Sequence, residues 1–123
     1  MKKPNLEELR QFVKVHKFPT DLLVETIAEC NLECIMCPQK KLTRAKGEMS
    51  FELWKKIVDE VAEKSPDTRI WPALMGEPLL LGDMLFKMIK YAVDKDIYVA
   101  LNTNLMVFEE SMLDAFLDCG LSE

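Results

Sequence analysis

Hydrophobic positions along the chain recur with two different periods, and the two kinds of stretch alternate. Leu6, Leu9, Phe12 and Val13 stand at helical spacing behind Asn5 and Glu8, a pair that resembles a capping box, and predict a helix over residues 5–16. Pro19 breaks that pattern. The short apolar run 22–28, with Val24, Thr26 and Ile27, predicts a buried strand. Ser50 is a good N-cap, after which Leu53, Trp54, Ile57, Val58 and Val61 mark one face of a helix running to Lys64, with Pro66 closing it. Residues 69–75 predict a second buried strand that ends in Gly76-Glu77-Pro78. Asp83 can then cap a helix whose face is Leu85, Met88, Ile89, Ala92 and Val93. A third strand is predicted over 97–102, followed by a polar corner at Thr103-Asn104. A last helix is predicted over 109–118, with Met112, Leu113, Phe116 and Leu117 inward and Gly120 as its stop.

The order is one helix, then strand and helix three times. Strands alternating with amphipathic helices imply crossover units on a parallel sheet, right-handed by the strong rule for such connections. The fold class is therefore α/β. Three strands cannot close a barrel, so unpaired backbone would remain at the outer strands and one sheet face would lack a lid. A fourth strand would be expected after Gly120, and the pattern reads as unfinished: the remainder is missing or another chain supplies it. Open edges of this kind predict self-association.

At 123 residues the chain has room for one domain, and 49% hydrophobic against 30% charged residues supplies a core. Net charge is -5, which repels phosphate backbones and anionic lipid, so nucleic acid is not an expected partner. No apolar run approaches the roughly 18 residues of a membrane helix, and Met1 to Arg10 mixes charge with leucine where a signal peptide would be apolar. The expected location is cytoplasmic.

Cysteine placement changes this picture most. Three of the four cysteines fall in the eight residues Cys30-Asn31-Leu32-Glu33-Cys34-Ile35-Met36-Cys37, and Cys119 stands apart. Clustered thiols in a chain without a signal peptide point to metal or redox chemistry rather than to a disulfide framework. A four-iron cluster held only by protein takes four thiolates, so three leave one iron open to a small molecule. A structural zinc site is the plainer alternative, with His16 or Cys119 as the remaining soft ligand, but zinc sites usually present paired short spacings. Cys119, beside Phe116 and Leu117, reads as a small buried hydrophobe, and His16 as a surface or packing residue.

The spacing C-x-x-x-C-x-x-C after a predicted strand, trailed one helix and one strand later by Gly76-Glu77-Pro78, resembles the radical S-adenosylmethionine (SAM) superfamily. The resemblance covers about residues 20 to 123 and about half of that family's six-unit partial barrel. It implies three β/α units over 21–123, behind a helical extension over 1–20. It also implies that Cys30, Cys34 and Cys37 hold a [4Fe-4S] cluster whose fourth iron is chelated by SAM. Reductive cleavage of SAM would then give methionine and a 5′-deoxyadenosyl radical that takes a hydrogen atom from a substrate these residues do not specify.

Other positions take their meaning from the same resemblance. Met36, before the third cysteine, stands where the family often places an aromatic residue near the adenine. Gly76, Glu77 and Pro78 stand where it reads the SAM amino group, the plainer alternative being a strand-ending turn. Asn102-Thr103-Asn104 resembles its Thr-Asn-Gly corner, which faces SAM. Leu105 replaces the glycine, and a left-handed backbone there costs a residue with a Cβ about 1 kcal/mol. Lys40, Lys41, Arg44 and Lys46 form a basic run beside the cysteines. It is either a solvated loop or a docking site for an acidic electron donor of flavodoxin or ferredoxin type. A noncatalytic iron–sulfur or metal-binding module, truncated or dependent on a partner, is the alternative to an enzyme.

Overall fold

The computed structural model describes residues 5–7 and 17–123. Apart from residues 5–7, the helix expected over 5–16, with His16, lies outside the described residues. Residues 17–123 fold into an α/β arrangement with a small parallel sheet. Strand β1, Asp21–Leu23, pairs in parallel with β2, Arg69–Trp71, with Asp21 opposite Arg69, Leu22 opposite Ile70 and Leu23 opposite Trp71. A third segment joins β2 through one parallel bridge, Ile70 to Val99. The pairing is parallel, as the alternation of elements predicted, and the spatial order matches the chain order.

Both strands are shorter than the apolar runs suggested, and the third is reduced to a bridge. Pro72 explains much of this. Ile70 donates to the Tyr98 carbonyl and accepts from Ala100, so the next donor toward the third segment belongs to residue 72, which as proline has none. Thr26, almost fully buried, donates its hydroxyl to the Pro72 carbonyl at 2.7 Å. The chain beyond β1 then turns to a different partner: Ala28 donates to Gly47 and Met49 to Thr26, around an antiparallel bridge between Ile27 and Glu48. That bridge closes residues 29–46 into a loop with a fixed base.

Helix α1, Phe51–Lys64, begins where Ser50 Oγ accepts the Leu53 amide at 3.2 Å, the cap the sequence predicted. Its buried residues are Trp54, Val58 and Val61, whereas Leu53 is exposed because it sits about 100° around the helix from Trp54. Helix α2, Asp83–Val93, buries Leu85, Phe86, Met88, Ile89 and Ala92. Its N-cap is Gly82 rather than Asp83, and the short Pro78–Leu81 turn leads directly into it. Trp54 Nε1 donates to the Met88 carbonyl at 2.8 Å and joins the two helices inside the core.

The last predicted helix divides into a turn, Glu110–Met112, and α3, Leu113–Asp118. Leu113 and Leu117 are exposed, contrary to the expected inward face, while Ala115 and Phe116 pack against the core and Cys119 is buried. The inward positions fall at 112, 115, 116 and 119, a helical spacing that excludes 113 and 117. Gly120, at φ 77°, ends the helix as expected. After it, Ser122 donates to Val99 and Leu101 to Glu123, so the chain runs beside the third segment. Ile70 and Val99, both fully buried, face the helices. No helix among the described residues is long and apolar enough to cross a membrane.

Candidate active site at the C-terminal ends of the strands

The chain leaves β1, β2 and the third segment at the same end of the sheet, and the three exits touch. Gly76 lies against the backbone that precedes the first cysteine. A Cβ there would stand 2.1 Å from the Ile27 carbonyl oxygen and 2.7 Å from that of Glu29, so only glycine fits. One residue on, the Glu77 amide donates to the Glu29 carbonyl at 2.8 Å. Strand geometry thus places the Gly-Glu-Pro segment directly beside the start of the cysteine loop.

The Glu77 side chain is 3% exposed and gathers three donors. Oε1 accepts from the Leu79 amide at 3.0 Å and from the Thr103 hydroxyl at 2.6 Å, and Oε2 accepts from the Asn104 amide at 2.8 Å. Glu77 therefore caps the turn that follows it and holds the Thr103-Asn104 corner. A carboxylate offers about four acceptor positions, so one stays open. Thr103 Oγ1 also accepts from the Leu105 amide at 3.0 Å. Leu105 adopts φ 58°, the left-handed turn expected of this corner, without the glycine that favours it. Pro78 is buried behind Glu77.

Cys30 and Cys34 line a cleft of about 320 Å³ together with Leu23, Leu32, Ala73, Leu74, Gly76, Glu77 and residues 102–104. Cys30 and Cys37 are half-buried and Cys34 is exposed. The Leu32 amide approaches Cys30 Sγ at 3.5 Å, and the Cys37 amide donates to the Cys34 carbonyl at 3.0 Å. Cys37 then opens the turn Pro38–Lys41, where buried Gln39 donates to the Ala28 carbonyl at 3.1 Å and anchors the loop's return. Met36, 93% exposed, and Cys37 are outside the cleft lining. Cys119 is remote in role: its thiol donates to the Phe116 carbonyl at 3.1 Å within the core.

Three soft sulfur donors on one accessible loop suit an iron–sulfur cluster. Among the described residues no three His, Cys, Asp or Glu side chains converge on a single-ion position, and a cluster does not require it, since each thiolate takes its own iron. Two charges of the basic run are engaged nearby. Arg44 grips Glu25 with both guanidinium nitrogens, at 2.5 and 2.6 Å, which raises its pKa further, and Lys40 pairs with Glu33. Lys41 and Lys46 are exposed. Sequence reasoning missed Asn31, Thr26 and Gln39, whose value lies in contacts that no motif spells out. Their one signal was position, beside the cysteines or at the end of an apolar run.

Fold and cleft together define a cofactor-binding α/β protein with thiolates at the C-terminal end of a parallel sheet. Residues 24–123 match the family model of the Radical SAM superfamily, and the chain belongs to that superfamily. A PqqA peptide cyclase of Bradyrhizobium diazoefficiens is 28% identical over 117 residues, 94% of this chain and 30% of that protein. A tungsten-containing aldehyde ferredoxin oxidoreductase cofactor-modifying protein of Pyrococcus furiosus is 28% identical over 101 residues, 81% of this chain and 28% of its own. The crystal structure of BtrN in complex with AdoMet and 2-DOIA shares the fold. Its TM-score is 0.77 and its identity 24%, over 89% of this chain and 45% of that one. The chain thus spans about 30% of the length of the curated relatives it matches. The superfamily's cofactors are a [4Fe-4S] cluster and SAM.

Proposed function

We propose that this chain belongs to a radical SAM enzyme, in which residues 21–123 form three of the six β/α units of the core. One observation carries most of the weight: Cys30 and Cys34 open onto the same cleft as Gly76, Glu77, Thr103 and Asn104. When bound, the cluster supplies one electron to cleave SAM to methionine and a 5′-deoxyadenosyl radical that abstracts a hydrogen atom from substrate.

In this reading the chain's own residues bind and orient. Cys30, Cys34 and Cys37 supply the cluster thiolates. Gly76 brings its backbone close to the cleft, and Pro78 stiffens the exit. Glu77 offers its remaining acceptor position to the ammonium group of SAM, held in place by its three internal donors. Thr103 and Asn104 present the corner that faces the nucleotide, and the flexible thioether of Met36 meets the adenine. Lys41 and Lys46 offer positive charge to an acidic electron donor of flavodoxin or ferredoxin type. Among the described residues no strand pairs with the outer edge of the short β1, an edge that provides for self-association.

Anaerobic reconstitution with iron and sulfide, reduction with dithionite and addition of SAM should yield 5′-deoxyadenosine, and Cys34→Ala should abolish it. Cluster formation without cleavage would favour the noncatalytic module, and bound zinc without sulfide would overturn both iron readings.

A further inference from the structure

Within residues 30–37, one hydrogen bond reaches outside the loop. The Leu32 to Cys30, Cys37 to Cys34 and Lys40 to Glu33 contacts all stay inside the cysteine loop. The residues that flank 30–37 are held separately, by the Glu77 to Glu29, Gln39 to Ala28 and Arg44 to Glu25 bonds and the Ile27 to Glu48 bridge. Among the described residues, the bond from Asn104 Nδ2 to Asn31 Oδ1, at 3.0 Å, is the one hydrogen bond by which residues 30–37 themselves reach the rest of the fold.

Its direction is set by the neighbours. Asn104 Oδ1 accepts from the Met106 amide at 2.9 Å, so the amide nitrogen of Asn104 must face Asn31, and Asn31 must accept through its oxygen. The Asn104 main chain is in turn held by Glu77 Oε2. A continuous line of hydrogen bonds therefore runs from the residue after Cys30, through the third-segment corner, to the buried carboxylate at the end of β2.

We propose that Asn31 is a positioning residue, which fixes the cysteine loop through Asn104 at the distance from Glu77 that SAM must span. The proposal rests on the function above. Binding one ligand at both the cluster and the Glu77 corner requires the two to be held in register, and losing the strap loosens one against the other.

The decisive measurement tracks the spectrum of the reduced, reconstituted chain as SAM is added. Asn31→Ala should raise the half-saturating SAM concentration by about three- to ten-fold, the worth of one hydrogen bond, with iron and sulfide content unchanged. Asn31→Asp keeps the acceptor oxygen and should restore binding to near the starting value. In an Asn104→Ala background, Asn31→Ala should add no further loss. Unchanged half-saturation in Asn31→Ala, or equal losses in both backgrounds, would overturn the proposal. Amide exchange over 30–37 in the iron-free chain supplies a readout independent of loading: Asn31→Ala and Asn104→Ala should accelerate it alike, and unaltered exchange would also overturn the strap. A starting chain whose spectrum ignores SAM while its exchange shows the strap would overturn the radical SAM function, and the positioning role with it.

Discussion

Glu77 concentrates the site's energetics in one side chain. Three donors converge on a carboxyl group that is 3% exposed, so the group is satisfied only while all acceptor positions remain oxygen. Glu77→Gln preserves shape but turns one oxygen into a donor facing another donor. It should cost about 1–3 kcal/mol of stability, seen as a lower denaturant midpoint with the slope unchanged. An unaltered midpoint would mean that the corner does not depend on this carboxylate. The sequence marked Glu77 and Gly76 by their place after a strand. It did not disclose that Glu77 looks inward as well as toward the cleft, because the Thr103 and Asn104 donors lie 26 and 27 residues away. Gly76 was legible as part of the Gly-Glu-Pro motif, but its close approach to the Ile27 backbone emerged only from the fold.

Among the elements, the β1–β2 register is pinned on the face turned away from the helices. Asp21, opposite Arg69, accepts from its guanidinium at 2.8 to 2.9 Å and from Trp71 Nε1 at 3.1 Å. The Arg69 hydrogen bond, followed by that from Trp71, holds the Asp21 carboxyl below its ordinary 3.8. A depressed folded-state pKa contributes stability that is present above the unfolded value and disappears as pH falls through the folded one. The stability difference between the parent chain and Asp21→Asn should therefore hold at neutral pH, begin to shrink as pH falls past about 4, and vanish only below the depressed folded-state pKa. A difference that persisted in acid would assign the loss to packing instead. Helix positions were well legible, since Trp54, Val58 and Val61 repeat at the period of a helix with an obvious cap at Ser50. Strand lengths were not. Apolar runs do not reveal that Pro72 lacks the donor its neighbour needs, nor that residues 26–28 pair with 47–49 instead.

Over the whole molecule, helices cover one side of a narrow sheet while its chain exits converge into a cleft. The core gathers α1, α2 and the buried faces of β2 and the third segment, leaving the cysteine loop outside it. This division leaves the loop accessible outside the packed part, with Asn31, Gln39 and Arg44 as its side-chain tethers. The alternation of strand and helix, together with the cysteine spacing, made the superfamily legible from the chain alone. The α3 face was misread because Leu113 and Leu117 are as apolar as the residues that turn inward. The central claim concerns three thiolates that leave a fourth iron open. Mössbauer spectroscopy of the iron-57-reconstituted chain tests it most directly. Addition of SAM should move the signal of one iron in four, whereas four irons that all ignore SAM would contradict the account.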